Sequence, residues 1–561
     1  MRKPKASDEL VFLPLGGSGE IGMNLNAYGY GPPEARQWII VDIGVTFGRE
    51  EMTPGVELIL PDPSYLEGER ENILGIVLTH AHEDHIGALA WLWPRLKVPV
   101  YATPFTAALV REKLKERNLL EKVPLTVIPL KGKLNLGPFD VEYITLTHSI
   151  PEPNGLAIRT PLGLVWHTGD WKIDPDPLIG ELTDEASLRA MADEGILAMV
   201  CDSTNVFVEG TSGSEADVRV RLTEVIAGCR GRVAVTAFAS NVARVETTLK
   251  AARACGRLPC LVGRSMHRIV GAAQSVGMLT DAPRIIDESE AAGLDPARVL
   301  YLCTGSQGEP RAALTRIARG ESRQVKLEQG DTVIFSSRVI PGNESAIHAL
   351  YNAFLERGVD LITADDAPVH VSGHPARDEL RQMYQWARPR IAVPVHGERR
   401  HILEHVKLAL ELQTPEAIAP NNGDLIRLAP GPVKLIDEVP SGRLYVDGSV
   451  IVEAEDDALR DRRRLGAEGA VNVTFAISGK KNAIVSGPKV SVRGLALFDE
   501  EEMDLALEEL ERTAEAAFTK LSHGEREEDE AVEAAVMRAV RKAADRLWRK
   551  RPLIDVMVLR V

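Results

Sequence analysis

The hexapeptide His80-Ala81-His82-Glu83-Asp84-His85 places four potential metal ligands at the end of a predicted strand. The apolar run from Ile73 to Leu78 precedes it and predicts a buried strand. Two imidazoles two residues apart can face one cation, and the carboxylate and imidazole that follow can face a second. Two divalent cations a few ångströms apart are typical of ester hydrolysis, above all of phosphate esters. A polar surface loop is disfavoured, because the chain has only 13 His and several are concentrated here.

The same residue types follow the ends of four later predicted strands, at His148, Asp170, Asp202 and His396. Loops at strand ends are where α/β proteins build sites on a rigid scaffold, so we expect these side chains to meet the hexapeptide. Asp42 also follows a short apolar strand. We expect it either to orient a ligating imidazole or to cap a turn.

Length and composition indicate a globular protein of several domains. The 561 residues are too many for one ordinary domain, and three or four are expected. Hydrophobic residues make up 44% and charged residues 26%, as is usual for globular proteins. No apolar run reaches the roughly 18 residues of a membrane span. The 5 cysteines are scattered and form no CxxC pair, which predicts a reduced cytoplasmic protein.

The net charge of −15 at first argues against a nucleic-acid partner. The charge is uneven, however, because residues 206–360 hold 19 Lys and Arg, 17 of them Arg, against 17 Asp and Glu. An acidic protein with one Arg-rich segment can still bind a polyanion locally. The alternative is that most of these arginines lie on solvated helix faces.

From about residue 206 the chain shows repeated strand–helix units. Four near-continuous apolar runs, each followed by a helix candidate, are 232–238, 258–263, 299–305 and 331–337. Such runs are typical of parallel strands buried on both faces, so we predict a doubly wound parallel sheet with a ligand crevice at the carboxyl ends of its strands. The hydroxyl, amide, Arg and Gly residues at those ends suit phosphate and ribose. Ser212 and Glu215 fit a capping box for the first helix of this segment.

The stretch VHVSGH at 369–374 and the strand before His396 indicate that the chain returns to its first domain. The α/β segment is therefore predicted to be an insertion. We predict the divisions 1–205 and 366–430 for the first domain, 206–365 for the insertion, 431–449 for a linker and 450–561 for a small α+β domain. Strands at 470–477, 490–497 and 553–559 and two charged helices, 499–521 and 527–549, are expected in the last division.

Taken together, these motifs resemble the bacterial ribonuclease J family, which belongs to the β-CASP branch of the metallo-β-lactamase superfamily. The resemblance spans essentially the whole chain and is carried by LGGSGEIGMN, HAHEDH, THSIPE, TGDWKID, CDSTN, PGNE, VHVSGH and PVHGE. It implies a metallo-β-lactamase αββα sandwich interrupted by a doubly wound parallel β-CASP domain. A small α+β C-terminal domain is also implied.

The resemblance implies two divalent metal ions in each subunit, with Zn expected and Mn or Mg able to support activity. One ion would be held by His80, His82 and His148. The other would be held by Asp84, His85 and His396. Asp170 would bridge the two.

The implied reaction is hydrolysis of RNA phosphodiester bonds by metal-activated hydroxide, which leaves a 5′ phosphate and a 3′ hydroxyl. His374 would protonate the leaving 3′ oxygen and Asp202 would orient it. Asp84 is expected to take part in catalysis as well as in metal binding. Glu83 could be imagined as a base, but we expect it to point away from the site.

A pocket for a 5′-terminal monophosphate is also implied, and with it 5′-to-3′ exonuclease action beside endonuclease action. The candidate residues are Ser240, Asn241, His370, Val371, Ser372, Gly373 and His374. A closed pocket of hydroxyl and N–H groups could accept a monophosphate and reject the bulkier, more charged triphosphate. The resemblance also implies a role in rRNA maturation and mRNA decay in the cytoplasm.

Three alternatives have different requirements. A small-molecule hydrolase such as a lactonase or thioesterase does not need the long Arg-bearing insertion. A DNA-directed β-CASP nuclease is disfavoured only by the family motifs, and a non-catalytic RNA-binding scaffold is disfavoured by the complete ligand set. The expected partners are RNA, a second copy in a homodimer or homotetramer assembled through the C-terminal domain, and proteins of an RNA-degradation complex.

Overall fold

The structure is a computed structural model that describes residues 4–48, 52–340, 342–497 and 499–561. The chain forms two compact units. The first comprises Met1–Thr46 and Leu60–Arg443, and the second comprises Phe47–Ile59 and Leu444–Val561. Pro341, in the predicted motif PGNE, lies outside the described residues.

Two large sheets form the centre of the first unit. The eight-stranded sheet has the order Lys434–Glu438, Asp424–Ala429, Glu9–Gly16, Leu25–Gly31, Gln37–Val41, Ile73–Val77, Val100–Ala102 and Leu125–Val127. The seven-stranded sheet has the order Lys133–Leu136, Phe139–Thr145, Asn154–Thr160, Gly163–His167, Ile196–Asp202, Ile391–Val395 and Glu416–Ala417.

Alternating apolar side chains pack the two sheets face to face. Phe12, Tyr28 and Ile39 of the first sheet share one buried cluster with Val141 and Val200 of the second. This burial, at roughly 25 cal/mol per Å² of apolar surface, is the main term that holds the layers together.

Helices cover the outer face of the seven-stranded sheet. Trp166 and Met199 on that face pack against Leu380 and Trp386 of one helix and Leu408 of another. The helices that connect the strands of the two large sheets are Ser64–Gly68, Glu83–Ile86, Leu89–Leu96, Pro104–Glu116, Glu185–Glu194, Arg377–Ala387 and Arg399–Glu411. The predicted α/β fold class is confirmed.

The insertion contains a five-stranded parallel sheet in the order Leu258–Val262, Val299–Cys303, Val233–Thr236, Thr332–Phe335 and Asp360–Ile362. The four predicted strands are confirmed. The fifth was not predicted, because three residues that begin with Asp do not form an apolar run. The helices of the insertion are Glu215–Gly228, Val242–Ala254, Arg264–Ser275, Glu288–Ala292, Ala313–Ala318 and Glu344–Leu355.

After the insertion the chain re-enters both large sheets. Ile391–Val395 pairs in parallel with Ile196–Asp202, and Asp424–Ala429 pairs antiparallel with Glu9–Gly16. The carboxyl ends of Ile196–Asp202 and Ile391–Val395 therefore lie side by side, which brings Asp202 and His396 to one edge.

Several predicted elements differ from the observed ones. The hexapeptide is not only a loop, because its last three residues begin the short helix Glu83–Ile86. Ser212 does not cap the helix that follows it, since Ser214 accepts the hydrogen bond from the Ala216 amide instead. The segment predicted as a linker, 431–449, contains the strands Lys434–Glu438 and Arg443–Asp447.

The second unit is a small α+β structure. Its three-stranded sheet has the order Ile484–Arg493, Ala470–Ile477 and Leu553–Arg560. The strand predicted at 490–497 is observed at Ile484–Arg493, several residues earlier. The helices are Asp457–Glu468, Glu500–Thr519 and Asp529–Trp548. Phe475 and Val473 of the central strand pack against Leu510, Phe518 and Val536 of the long helices.

The remaining short strands of the described residues are Ser18–Gly19, Thr46–Phe47, Leu58–Pro61, Gly397–Glu398 and Val450–Glu453. Among the described residues, none of the helices combines the length and the apolar character that crossing a lipid bilayer requires.

Candidate metal centre and catalytic pair

The side-chain donors of the predicted ligands form two groups that share Asp170. The first group is His80, His82, His148 and Asp170, and the second is Asp84, His85, His396 and Asp170. Within each group the donor atoms all lie within 4.8 Å of one another. The fold thus brings together seven residues that follow the ends of four strands.

The three imidazoles of the first group turn nitrogen atoms toward one point. His82 Nδ1 lies 3.1 Å from His80 Nε2 and 3.0 Å from His148 Nε2. His148 Nδ1 donates a hydrogen bond to the Gly373 carbonyl, so Nε2 of the neutral ring presents a lone pair. Burial, together with the neighbouring imidazoles, lowers the pKa of His80 and His148 well below the ordinary range, and burial lowers the pKa of His82 to about 4.

The second group is oriented by Asp42. His85 Nδ1 donates to Asp42 over 2.7 Å, and its Nε2 lies 3.2 Å from Asp170 Oδ2. Asp42 also accepts hydrogen bonds from the amide and hydroxyl of Thr79, each 2.8 Å long. Both roles expected for Asp42 are therefore present, since one carboxylate caps the turn and orients the imidazole.

The donor set fits divalent cations. In the first group three imidazoles and the Asp170 carboxylate converge, and donor atoms that converge in this way favour a cation between them. The second group combines imidazole nitrogen with carboxylate oxygen, since His396 Nε2 lies 3.1 Å from Asp84 Oδ2. Imidazole and carboxylate donors in such sets suit Zn.

Glu83 lies outside both groups. Its carboxylate pairs with Lys113 Nζ at 2.5 and 2.6 Å, and its side chain is 47% exposed. It points away from the ligands, as expected, which leaves the alternative of Glu83 as a base without support.

His374 and Asp202 form a hydrogen-bonded pair beside the second group. His374 Nδ1 lies 2.8 Å from Asp202 Oδ2, and Asp202 Oδ1 accepts from the amide and hydroxyl of Thr204. Burial alone would lower the pKa of His374, but the Asp202 carboxylate outweighs it and raises that pKa. Asp202 is buried, whereas the His374 side chain is 24% exposed, so a substrate can reach the imidazole.

Neighbouring side chains hold the backbone of His374. Asn205 Nδ2 donates to Ser372 Oγ over 2.8 Å and to the His374 carbonyl over 3.0 Å. The His374 amide donates to the same Ser372 hydroxyl over 3.2 Å. A Cβ atom at Gly373 would lie 2.5 Å from Ser149 Oγ and 2.9 Å from His148 Cε1, so this approach requires glycine.

The residues predicted to bind a terminal phosphate fall into two sets. Ser372, Gly373 and His374 lie next to the ligand groups through the contacts above. Asn241 caps the helix Val242–Ala254 by accepting from the Arg244 amide, and its Nδ2 donates to Glu215 over 3.0 Å. That side chain is therefore already used inside the insertion.

His370, Val371 and Ser240 are partly buried. His370 Nδ1 lies 3.4 Å from the guanidinium of Arg244. Burial, with the charge of Arg244, lowers the pKa of His370 to about 3, so this imidazole is neutral at neutral pH.

The sequence did not point to several residues that support the site. Glu379 accepts from the amides of Ile173 and Ser212. Lys172 donates to the Gly213 carbonyl, Asp174 accepts from the Glu215 amide and Arg244 donates to the Val369 carbonyl. These contacts join the insertion to the segments that lead to and from the metal-ligand residues. Glu379 follows Ala376 by three residues, but Ala lacks the side-chain oxygen that marks a capping box. Nothing in the sequence distinguishes Arg244 from the other arginines of its segment.

Four family models match parts of the chain. They are the metallo-beta-lactamase superfamily at residues 34–149, the ribonuclease J beta-CASP domain at 230–354, the Zn-dependent metallo-hydrolase RNA specificity domain at 367–420 and the ribonuclease J C-terminal domain at 457–561.

Curated relatives match over nearly the whole chain. A protein named ribonuclease J from Sinorhizobium meliloti is 47% identical over 568 residues, which covers 100% of both chains. Another from Corynebacterium glutamicum is 37% identical and covers 99% of this chain and 77% of its own.

A solved structure shares the fold at low identity. It is the crystal structure of a protein of unknown function from Enterococcus faecalis, with a TM-score of 0.51 and 14% identity over 75% of this chain and 100% of that one.

Proposed function

The chain belongs to the ribonuclease J family and is a metal-dependent hydrolytic ribonuclease, and we propose that it degrades RNA from 5′-monophosphate ends in the 5′-to-3′ direction and also cuts internally. The observation that carries the proposal is the His374–Asp202 pair next to two donor groups that share Asp170. Such a site can activate a nucleophile on one side of a phosphodiester and protonate the leaving group on the other.

We propose that His80, His82, His148 and Asp170 hold one divalent ion and that Asp84, His85, His396 and Asp170 hold the second. Zn fits these donors, and Mn or Mg could support activity. When bound, the ions supply positive charge that favours deprotonation of an attacking water and stabilises the phosphoryl oxygens.

His374 is proposed as the general acid. Because Nδ1 faces Asp202 at 2.8 Å, the proton for the leaving 3′ oxygen would come from Nε2. The Asp202 carboxylate holds the ring in this orientation and favours its protonated form. Asn205 and Ser372 keep the backbone of this loop in place. The products would be a 5′ phosphate and a 3′ hydroxyl.

Selection of 5′-monophosphate ends is proposed to depend on Ser240, His370, Val371, Ser372 and Gly373, with Asn241 as support. Hydroxyl groups, backbone N–H groups and a neutral imidazole recognise a phosphate through hydrogen bonds. A triphosphate brings extra charge and bulk that such a closed pocket disfavours.

The cellular setting follows from family membership and stays a proposal. We propose action in the cytoplasm in rRNA maturation and mRNA decay, with RNA as substrate and with proteins of a degradation complex as possible partners. A homodimer or homotetramer assembled through residues 450–561 is proposed.

A time course on one RNA with a 5′ monophosphate, triphosphate or hydroxyl tests the proposed direction and end preference, in the presence of Zn, Mn or Mg. Mononucleotides released mainly from the monophosphate form support the proposal. Equal internal cutting of all three forms contradicts it. A DNA strand of the same sequence tests the alternative of a DNA-directed nuclease.

Variants separate catalysis from a scaffold role. His396→Ala is expected to abolish cleavage and reduce metal content while RNA binding remains. His523→Ala is the matched control, because that imidazole is 76% exposed in the second unit. If His396→Ala cleaves RNA at the wild-type rate with unchanged metal content, the assignment of the second donor group is wrong.

A further inference from the structure

The buried carboxylate of Glu379 lies where the chain leaves for the insertion and returns from it. Glu379 is 2% exposed and lies in the first turn of the helix Arg377–Ala387. A carboxylate at a helix N-terminus is favoured by the helix dipole. The contacts that Glu379 makes reach well beyond its own helix.

Its two oxygens accept four hydrogen bonds from three separate segments. Oε1 accepts from the Ile173 amide and from the Ser212 hydroxyl, and Oε2 accepts from the amides of Ser212 and Ala376. Each of the four distances is 2.8 Å. One side chain thus fixes the relative positions of three stretches of backbone.

Each of these stretches leads directly to the site. Ile173 lies three residues after Asp170, and Ala376 lies two residues after His374. Ser212 belongs to the segment that follows Asp202. A shift of any one stretch would therefore change how His374 lies relative to the carboxylates on which its role depends.

We propose that Glu379 is a positioning residue that holds His374 at the distance and angle needed to protonate the leaving oxygen. The inference rests on the proposed role of His374 as general acid. A carboxylate accepts hydrogen bonds only, whereas an amide in its place would direct an NH2 group at backbone N–H donors. A misplacement of about 1 Å at a catalytic group can lower the rate by about 10²-fold.

The variant Glu379→Gln tests this with two substrates. One is a 5′-monophosphorylated RNA, and the other is the same RNA with sulfur in place of the 3′ oxygen at the scissile linkage. A thiolate leaves without being protonated, so it does not need a general acid. We expect kcat on the ordinary RNA to fall by about 10²-fold with KM and metal content little changed, and kcat on the sulfur linkage to fall much less.

Asp331→Asn is the matched control for a purely structural effect. Asp331 is 3% exposed and accepts from the amides of Arg232 and Glu328 at 2.7 and 3.0 Å. It lies at the amino end of the strand Thr332–Phe335, away from the crevice edge. Asp331→Asn should lower stability and leave the ratio of the two rates at the wild-type value.

His374→Ala distinguishes failure of this inference from failure of the proposed function. If His374→Ala slows both linkages equally, His374 is not the general acid and both ideas fall. If His374→Ala slows only the oxygen linkage while Glu379→Gln slows both equally, the positioning role alone is overturned. Adding Glu379→Gln to His374→Ala should cause little further loss on the ordinary RNA, because both act on one step.

Ser212→Ala provides a milder variant in case Glu379→Gln does not fold. It removes the hydrogen bond of the hydroxyl, which is one of the four, and leaves the three backbone donors of Ile173, Ser212 and Ala376 in place. A several-fold loss confined to the oxygen linkage supports the proposal. Wild-type rates on both linkages overturn it.

Discussion

Two sets of buried polar side chains, the ligand groups and the residues at the junction with the insertion, are satisfied in opposite ways. In the ligand groups, imidazole nitrogens converge on one another at 3.0 and 3.1 Å, an arrangement that a bound cation would complete. At the junction with the insertion, each charge meets a partner within the protein. Lys172 pairs with Asp174 at 2.8 Å, and Glu379 accepts four hydrogen bonds.

This difference separates two contributions to function. The ligand groups are complete only with cations, so their substitution should affect metal content and chemistry. The junction is complete without them, so its substitution should affect stability or the positions of the loops. Substitution of a buried charged residue in each region can test this separation.

Asp170→Asn should have the largest effect. Asp170 belongs to both ligand groups, and an amide supplies one neutral oxygen in place of a shared carboxylate. Loss of several kcal/mol of charge stabilisation corresponds to on the order of 10³-fold in rate. RNA cleavage rates and metal analysis would measure it, with the exposed Asp176→Asn as control. Retention of activity within about tenfold would contradict the bridging role.

Arg244→Met should mainly destabilise the insertion. Arg244 is fully buried, contacts Glu215 at 2.9 and 3.0 Å and donates to Ser336 and to the Val369 carbonyl. Removing it leaves an unpaired buried carboxylate, which costs about 3 kcal/mol or more. Urea unfolding would measure this loss, while metal content should stay at the wild-type value.

The double variant Arg244→Met, Glu215→Leu tests the reason for that loss. Since an apolar pair removes both buried charges, it should recover much of the stability. If the double variant is as unstable as Arg244→Met, the contacts of Arg244 with Ser336 and Val369 carry the effect and the ion pair does not.

The two regions also differ in how far the sequence predicts them. The hexapeptide compresses four ligands into six residues, and His148, Asp170 and His396 each follow an apolar run, so local pattern and strand-end geometry predict where they meet. The apolar runs of the insertion likewise predict four of its five strands.

The junction has no comparable local signal. The partners of Glu379 lie 206 and 167 residues away at Ile173 and Ser212, and Ser212 was predicted to cap a helix instead. A hydrogen bond between distant segments depends on the packing of the whole fold, and short-range rules do not describe it. The strands in 431–449 were missed for a different reason, because Pro and Gly recur through this segment and are typical of a linker.

Asp42→Asn should have an intermediate effect that is largest in the second ligand group, where Asp42 contacts His85 directly. Asn tolerates the left-handed backbone at this position, where φ is 64°, but it has one acceptor oxygen and cannot accept from both the Thr79 amide and His85 Nδ1. Loss of such an orienting partner lowers metal affinity or activity by about 10- to 100-fold. Metal titration of the variant would reveal one weakened site.

Asp8→Asn is the control for that prediction. Asp8 is buried and accepts from the Lys5 amide and the Tyr30 hydroxyl, away from the ligands. If both variants lower metal affinity equally, the effect of Asp42→Asn arises from general destabilisation of the sheet.

The smallest expected effect is the pH dependence of the Arg244–Glu215 pair. Burial alone would raise the pKa of Glu215, but the charge and hydrogen bonds of Arg244 outweigh it and hold that pKa below its ordinary value. A lowered folded-state pKa means that the pair contributes its stability above the unfolded carboxyl pKa of about 4.3. The contribution is lost as pH falls through the folded pKa.

The unfolding free energy of the wild type minus that of the double variant should therefore decrease as pH falls from about 5 to about 3, the range around that carboxyl pKa. Subtracting the double variant removes the acid sensitivity of the metal ligands, which both proteins share. The shift should persist in about 1 M salt, because a buried pair is poorly screened. The exposed pair Arg253–Asp281 is the control, since its contribution should disappear in salt. A salt-sensitive shift at Glu215 would mean that water reaches the junction, and the contrast between the two regions would weaken accordingly.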